Sequence, residues 1–220
     1  MGETISLRAA DGHTLDGYLA RPSGTPRGGL VVLQEIFGVN DHIRRVTDDF
    51  AAAGYLAVAP ALFDRVRRRV ALGYDEIPAG RDIMGSLDRD AIVRDIAAAV
   101  AAVRSAGRVG AVGYCWGGAL ADLAACQCDI AAAVSYYGRH TATWLDLQPQ
   151  CPVMYHFGRL DPLIPADMVA AIQAGRPAGI FHVYDAAGHG FNCDARPEYH
   201  APSAALARER TLAFLQLHLG

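Results

Sequence analysis

Four polar residues sit where an apolar run gives way to a turn: Glu35 in "VVLQEIFG", Cys115 in "VGYCWGG", Asp161 in "HFGRLDPLIP" and His189 in "YDAAGHGFN". Gly113-x-Cys115-x-Gly117, between a strand-like and a helix-like segment, has the spacing of a nucleophile elbow with Cys in place of the usual Ser. Such an elbow strains the backbone at the nucleophile and needs small neighbours, which Gly113, Gly117 and Gly118 supply. Sulfur at a helix N-terminus sees the positive end of the helix dipole, which favours thiolate. The backbone N–H of Trp116 would then point to where an oxyanion forms. The motif by itself fits a buried structural cysteine between helix-packing glycines equally well.

The later residues decide between the two. In an elbow enzyme the acid follows a late strand and the histidine lies after the last one, in the order nucleophile, acid, base. Cys115, Asp161 and His189 keep that order. His189 would accept the thiol proton or steady a thiolate, and Asp161 would fix its tautomer. Taken singly, Asp161 is an Asp-Pro turn and His189 one of eight histidines. Each at its own strand end, the three point to nucleophilic catalysis. Glu35 ends the third strand, where the second oxyanion donor belongs, and the N–H of Ile36 is expected to complete the hole with Trp116. A carboxylate there would be partly desolvated and able to accept a proton. Its alternative is a strand-end Glu bonded to an Arg or a backbone amide.

These residues need a scaffold. "ETISLRA" and "HTLDGYLARP" alternate around Asp11-Gly12 as a hairpin. "LVVLQE", "YLAVAP", "RVGAVGY", "IAAAVSYYG", "CPVMYHFG" and "IFHVYDA" read as strands, several buried on both faces. Ile43, Val46 and Phe50 define a helix that Asp41 would cap and Gly54 would close. Ile92, Ile96, Val100 and Val103 define a second, "WGGALADLAA" a third, residues 166–174 a fourth, and Leu212, Leu215 and Leu219 a final one. Residues 61–88 are irregular, with an Arg run that reads as solvated surface. This alternation predicts an α/β fold, one mostly parallel sheet with helices on both faces, as a single domain over 1–220. Ligands of such sheets sit at the carboxyl ends of the strands, which is where the four residues lie.

Composition removes competing chemistries. All 20 basic residues are Arg, so Schiff-base, pyridoxal-phosphate and P-loop lysine chemistry is excluded. A net charge of -3 gives no reason to expect nucleic acid. No apolar run is long enough to span a bilayer, and the N-terminal residues lack a signal-peptide pattern, so a cytoplasmic location is expected. Cys126 and Cys128 read as small hydrophobes at a helix end rather than a metal or redox pair. His156 and His182 read as core residues within strands, and His13, His42, His140, His200 and His218 as surface. No metal and no cofactor are expected.

"LQEIFGVNDHIRRVTDDFAAAGYLAVAPALFDR", "VGYCWGG", "SYYG", "HFGRLDPLIP", "YDAAGHGFNCDARPEYH" and "ALARERTLAFL" together resemble the dienelactone hydrolase (carboxymethylenebutenolidase) family over nearly the whole chain. The resemblance implies an α/β-hydrolase fold with little or no cap, no cofactor, and hydrolysis of dienelactone, an unsaturated cyclic enol ester, to maleylacetate. It implies Cys115 as nucleophile, His189 as base, Asp161 as orienting acid, and Ile36 and Trp116 as oxyanion donors. It further implies that an Arg holds Glu35 until the substrate carboxylate takes that Arg, freeing Glu35 to deprotonate Cys115. Two arginines anchor the substrate in this family. Arg81 matches the first. The second normally lies in a His-Ser-Phe-Ala-Arg run, which here reads His189-Gly190-Phe191-Asn192-Cys193; Arg196, three residues on, either reaches back or is a surface loop residue. Tyr137 of "SYYG" either lines the pocket or is structural.

The reading is a cysteine-dependent hydrolase, working through an acyl-enzyme on a small anionic lactone or ester, as a monomer or homodimer. A broader carboxylesterase or thioesterase is the alternative within the enzyme class. A non-catalytic redox sensor on the same fold is the alternative outside it, although sensing would need neither Asp161 nor Glu35.

Overall fold

The computed structural model describes residues 2–220. It contains β1 (Glu3–Arg8), β2 (Thr14–Ala20), β3 (Gly29–Leu33), α1 (Asp41–Ala52), β4 (Leu56–Pro60), α2 (Ile77–Gly85), α3 (Arg89–Val103), β5 (Val109–Tyr114), α4 (Trp116–Gln127), β6 (Ala132–Tyr136), β7 (Val153–Gly158), α5 (Ala166–Gly175), β8 (Ile180–Tyr184) and α6 (Ala201–Leu219). The strands form one 8-stranded sheet in the order β1-β2-β4-β3-β5-β6-β7-β8. β1 and β2 pair antiparallel around the turn at Asp11-Gly12, and β2 pairs antiparallel with β4. The remaining pairs are parallel.

The sheet register shows that helices cover both faces. Leu30 pairs with Gly110, one step along from the pairing of Gly29 with Val109, so Gly29 and Gly110 face opposite sides. A Cβ on Gly29 would meet Val103 of α3, whereas one on Gly110 would meet Leu219 and Leu215 of α6. β3 to β7 are buried along their whole length, as strands covered twice must be.

Several local expectations change. The α1 cap is Asn40, not Asp41: its backbone is extended and its Oδ1 accepts from the Ile43 N–H at 3.1 Å. β3 ends at Leu33, so Glu35 lies two residues beyond it, where the chain has turned away from the sheet. The irregular stretch holds α2 and a short 3-10 turn at Leu62–Arg65. Arg67, Arg68 and Arg69 are exposed as expected, but Arg65 turns inward to the buried Asp95, with Nε 2.6 Å from its Oδ2. His42 is buried, not on the surface, because α1 packs it under the loop carrying Asp194, whose Oδ1 lies 3.2 Å from its Nδ1. His156 is a satisfied core histidine, bonded to Tyr184 and Thr211.

Candidate active site

β5 passes into α4 through one residue, Cys115, whose φ of 54° and ψ of -115° lie in a region that non-glycine residues rarely adopt. Its surroundings hold it there. The Cys115 N–H donates to the Tyr136 carbonyl at 3.0 Å, and its own carbonyl accepts from the Gly118 N–H at 3.0 Å. A Cβ on Gly117 would collide with the carbonyl oxygens of Leu33 and Gln34, and one on Gly113 with that of Gly117. Three backbone segments therefore meet where no side chain fits. Trp116 opens α4, so its N–H has no acceptor within the helix.

His189 joins the sulfur to a carboxylate. Its Nε2 lies 3.2 Å from Cys115 Sγ and its Nδ1 2.7 Å from Asp161 Oδ2. The other carboxylate oxygen of Asp161 accepts from the Leu163 N–H at 2.8 Å, which fixes its orientation. Burial pulls the imidazole down. The electrostatic pull of the Cys115 sulfur and the hydrogen bonds to Asp161 and Cys115 outweigh it, so His189 is pushed up to about 10. Tyr137 stands behind this chain rather than on the pocket wall. Its φ of 39° turns the chain inward, and its ring is fully buried against His189, with centroids 5.2 Å apart, and Phe191.

Glu35 is 1% exposed and neither carboxylate oxygen has a hydrogen-bond partner. Burial pushes its carboxyl above the ordinary range, and the opposing pull comes first from Arg196. Arg196 does reach back: its Nη1 lies 3.8 Å from Glu35 Oε1, and its side chain is 12% exposed. The guanidinium sits over the rings of Tyr74 and Phe37 at 5.7 and 6.0 Å. It also packs on Gly190, which has a φ of 78° and where a Cβ would come within 3.1 Å of Arg196 Cζ. The loop after His189 thus brings an arginine to Glu35 from a position three residues later than the family pattern places it.

A cavity of about 80 Å³ opens over these groups. Cys115, Trp116, Ile36, His189, Arg81 and Arg196 line it, together with Phe37, Ile77, Met84 and Leu163 as apolar walls. Arg139 and His140 line it too; the sequence reading passed over Arg139 and placed His140 on the surface. The signal was available, since Arg139 comes directly after "SYYG" at the carboxyl end of β6. A larger cavity of about 460 Å³ lies between α1 and α6, but neither Cys115 nor His189 reaches it.

Among the described residues one group has metal-ligand character, His42, Cys193 and Asp194, with donor atoms within 4.8 Å of one another. Its donors are already engaged, Cys193 with Tyr74 Oη and Asp194 with His42 and Arg45. Cys126 and Cys128 are buried, and burial pushes both thiols up to about 11. No described helix is long and apolar enough to cross a membrane.

Known proteins bear on the same residues. Among solved structures, a Klebsiella pneumoniae protein assigned to the dienelactone hydrolases superposes with a TM-score of 0.84, at 30% identity and covering 97% of each chain. An esterase of Pyrococcus furiosus shares the fold, with a TM-score of 0.74 at 15% identity, over 100% of this chain and 92% of its own. The sheet and its flanking helices are thus an α/β-hydrolase fold. The carboxymethylenebutenolidase of Pseudomonas putida is 37% identical over 225 aligned residues, covering 97% of this chain and 95% of the relative. That of Pseudomonas knackmussii matches to the same extent. With the family model of the dienelactone hydrolases matching residues 15–219, which span the elbow, the Asp161 turn and the His189 loop, the chain belongs to the dienelactone hydrolase family.

Proposed function

We propose that this hydrolase cleaves a lactone or ester bearing a carboxylate, with Cys115 as nucleophile and a thioester acyl-enzyme as intermediate. One observation carries the reading: the hydrogen-bonded chain Asp161–His189–Cys115, at 2.7 and 3.2 Å, opens on the same cavity as Arg81 and Arg196. The first half places nucleophile, base and orienting acid in sequence. The second supplies guanidinium forks for an anionic substrate.

The substrate carboxylate binds Arg196 and Arg81. This draws Arg196 away from Glu35, which it already holds loosely at 3.8 Å. Without that counter-charge, Glu35 is a buried carboxylate with no hydrogen bonds and a raised affinity for protons, so it takes the proton of Cys115. The thiolate attacks the carbonyl carbon, and the oxygen becomes an oxyanion held by the N–H groups of Ile36 and Trp116. As the C–O bond breaks, the departing oxygen takes a proton from His189. Water then attacks the thioester carbonyl, giving its proton to His189, and the C–S bond breaks to release the acid and the Cys115 thiolate, which takes its proton back from Glu35. Asp161 holds the imidazole tautomer throughout. The names of the Pseudomonas relatives support a butenolide-type lactone as substrate, and a cavity of about 80 Å³ suits a small acid rather than a long acyl chain.

The test is a panel of dienelactone isomers, neutral lactones and p-nitrophenyl esters. Cys115→Ala is expected to abolish turnover of every substrate the wild type cleaves. Unchanged turnover in that variant would remove the sulfur from the mechanism. Preference for neutral aryl esters over all anionic substrates would favour the broader carboxylesterase, to which the apolar walls Ile77, Met84 and Leu163 are suited.

A further inference from the structure

The cavity carries more positive charge than one substrate carboxylate requires. Of its three arginines, Arg196 has the ion pairs, 3.8 Å from Glu35 and 3.3 Å from Glu198. Among the described residues, Arg81 and Arg139 have none, although both line the cavity. His140 beside them adds no charge at neutral pH, since burial first and Arg139 second push its imidazole down.

The two free arginines reach the cavity from different elements, each tied at its backbone to the reacting centre. Arg81 follows Gly80 in α2, and Gly80 lies so close to the Ile36 carbonyl that a Cβ could not be added. Arg81 is therefore seated beside the loop that carries the Ile36 oxyanion donor. Arg139 begins the 3-10 turn after β6. Its N–H donates to the Tyr137 carbonyl at 3.1 Å, and the preceding Tyr136 carbonyl accepts from the Cys115 N–H at 3.0 Å. A single carboxylate held by Arg81 and Arg196 leaves Arg139 facing the cavity uncompensated. Arg81 and Arg139 are both exposed at the cavity mouth, so an entering anion meets them without any partner having to be displaced.

We propose that Arg139 forms a second anion subsite, so that the preferred substrate is a dianion: a small ester or lactone with two carboxylates besides the bond that is cleaved. This rests on the hydrolase reading above and narrows its substrate class. Arg81 and Arg196 take one carboxylate and Arg139 the other. The second charge then both steers the substrate into the cavity and fixes which way the scissile carbonyl faces Cys115.

Three p-nitrophenyl esters separate the charges: the acetate (neutral), the monosuccinate (one free carboxylate) and the monotricarballylate (two). The quantity read is the ratio of kcat/KM for the dianion to that for the monoanion. The wild type is expected to favour the dianion. In Arg139→Gln the ratio should fall by about tenfold, the scale of one lost charge-assisted hydrogen bond, and Arg139→Lys should recover part of it. A folded, active Arg139→Gln with an unchanged ratio overturns the subsite and leaves the hydrolase reading intact. So does a wild type that prefers the monoanion. A wild type that cleaves none of the three esters, nor the lactones of the panel above, overturns both.

Discussion

Replacing Glu35 by Gln tests the least ordinary part of the site, a carboxylate that is 1% exposed with both oxygens unbonded. Gln keeps the shape and removes the charge. Its amide also loses hydrogen bonds on burial, but a neutral group loses far less than an ion. Arg196 at 3.8 Å offsets part of the cost of Glu35 without donating a hydrogen bond to it. An unsatisfied buried group of this kind costs roughly 1–3 kcal/mol. For a chain of this length each kcal/mol moves Tm by about 2–4 °C. Glu35→Gln should therefore raise Tm at neutral pH by roughly 2–12 °C. The pH dependence fixes the cause. Burial raises the folded-state carboxyl above its unfolded value of about 4.3, so the folded state binds more protons than the unfolded one as pH rises through that interval. Wild-type stability then falls with rising pH, while the variant lacks this loss. The two melting curves should coincide below about pH 4 and diverge above it. In activity, the loss of a proton acceptor should lower kcat by about a hundredfold or more on anionic esters. Melting curves that run parallel from pH 4 to 8 would refute the buried, unpaired carboxylate. A variant with wild-type kcat would refute its role as acceptor.

Two further outcomes follow from other contacts. Arg176→Met should cost about 3–5 kcal/mol, a drop in Tm of roughly 6–20 °C by thermal melting. It strands the fully buried Asp122, which Arg176 Nε and Nη2 meet at 2.9 Å, and releases the Leu145 and Leu147 carbonyls that the same guanidinium ties down. The second outcome concerns His189, pushed up to about 10 with the electrostatic pull of the Cys115 sulfur as the leading upward influence. In Cys115→Ala its imidazole should lose its proton at lower pH than in the wild type, read as the NMR titration of the ring nitrogens. Identical titrations would show that Asp161 alone holds the proton.

Much of the scaffold was legible in the sequence because its signals are local. Largely apolar runs, with Ser135 and His156 the polar exceptions, marked β3 to β7, since strands covered on both faces admit few polar side chains. The Gly113 to Gly117 spacing marked the elbow, since backbone packed against backbone leaves room only for glycine. Asp161 and His189 were found because punctuation by Pro162, Gly188 and Gly190 shows where strands stop. The Asn40 cap was missed by one residue, because Asn and Asp both cap and only the extended backbone at Asn40 chooses between them. His42 was misplaced because its burial comes from the distant Asp194 loop, which no local periodicity reports.

The sequence by itself determined the order Cys115, Asp161, His189, and that each would stand at a strand's carboxyl end, because hydrophobic periodicity and glycine spacing are written along one chain. Only the tertiary structure decided what those residues meet. It brought Arg196 back to Glu35, moved Tyr137 behind His189, and turned Arg139 into the cavity beside Arg81. Each of these outcomes depends on the meeting of segments far apart in sequence, where side-chain length, backbone turn and burial act together. The order of these three residues is therefore a one-dimensional property of this chain, while the charge that would select a substrate is a three-dimensional one.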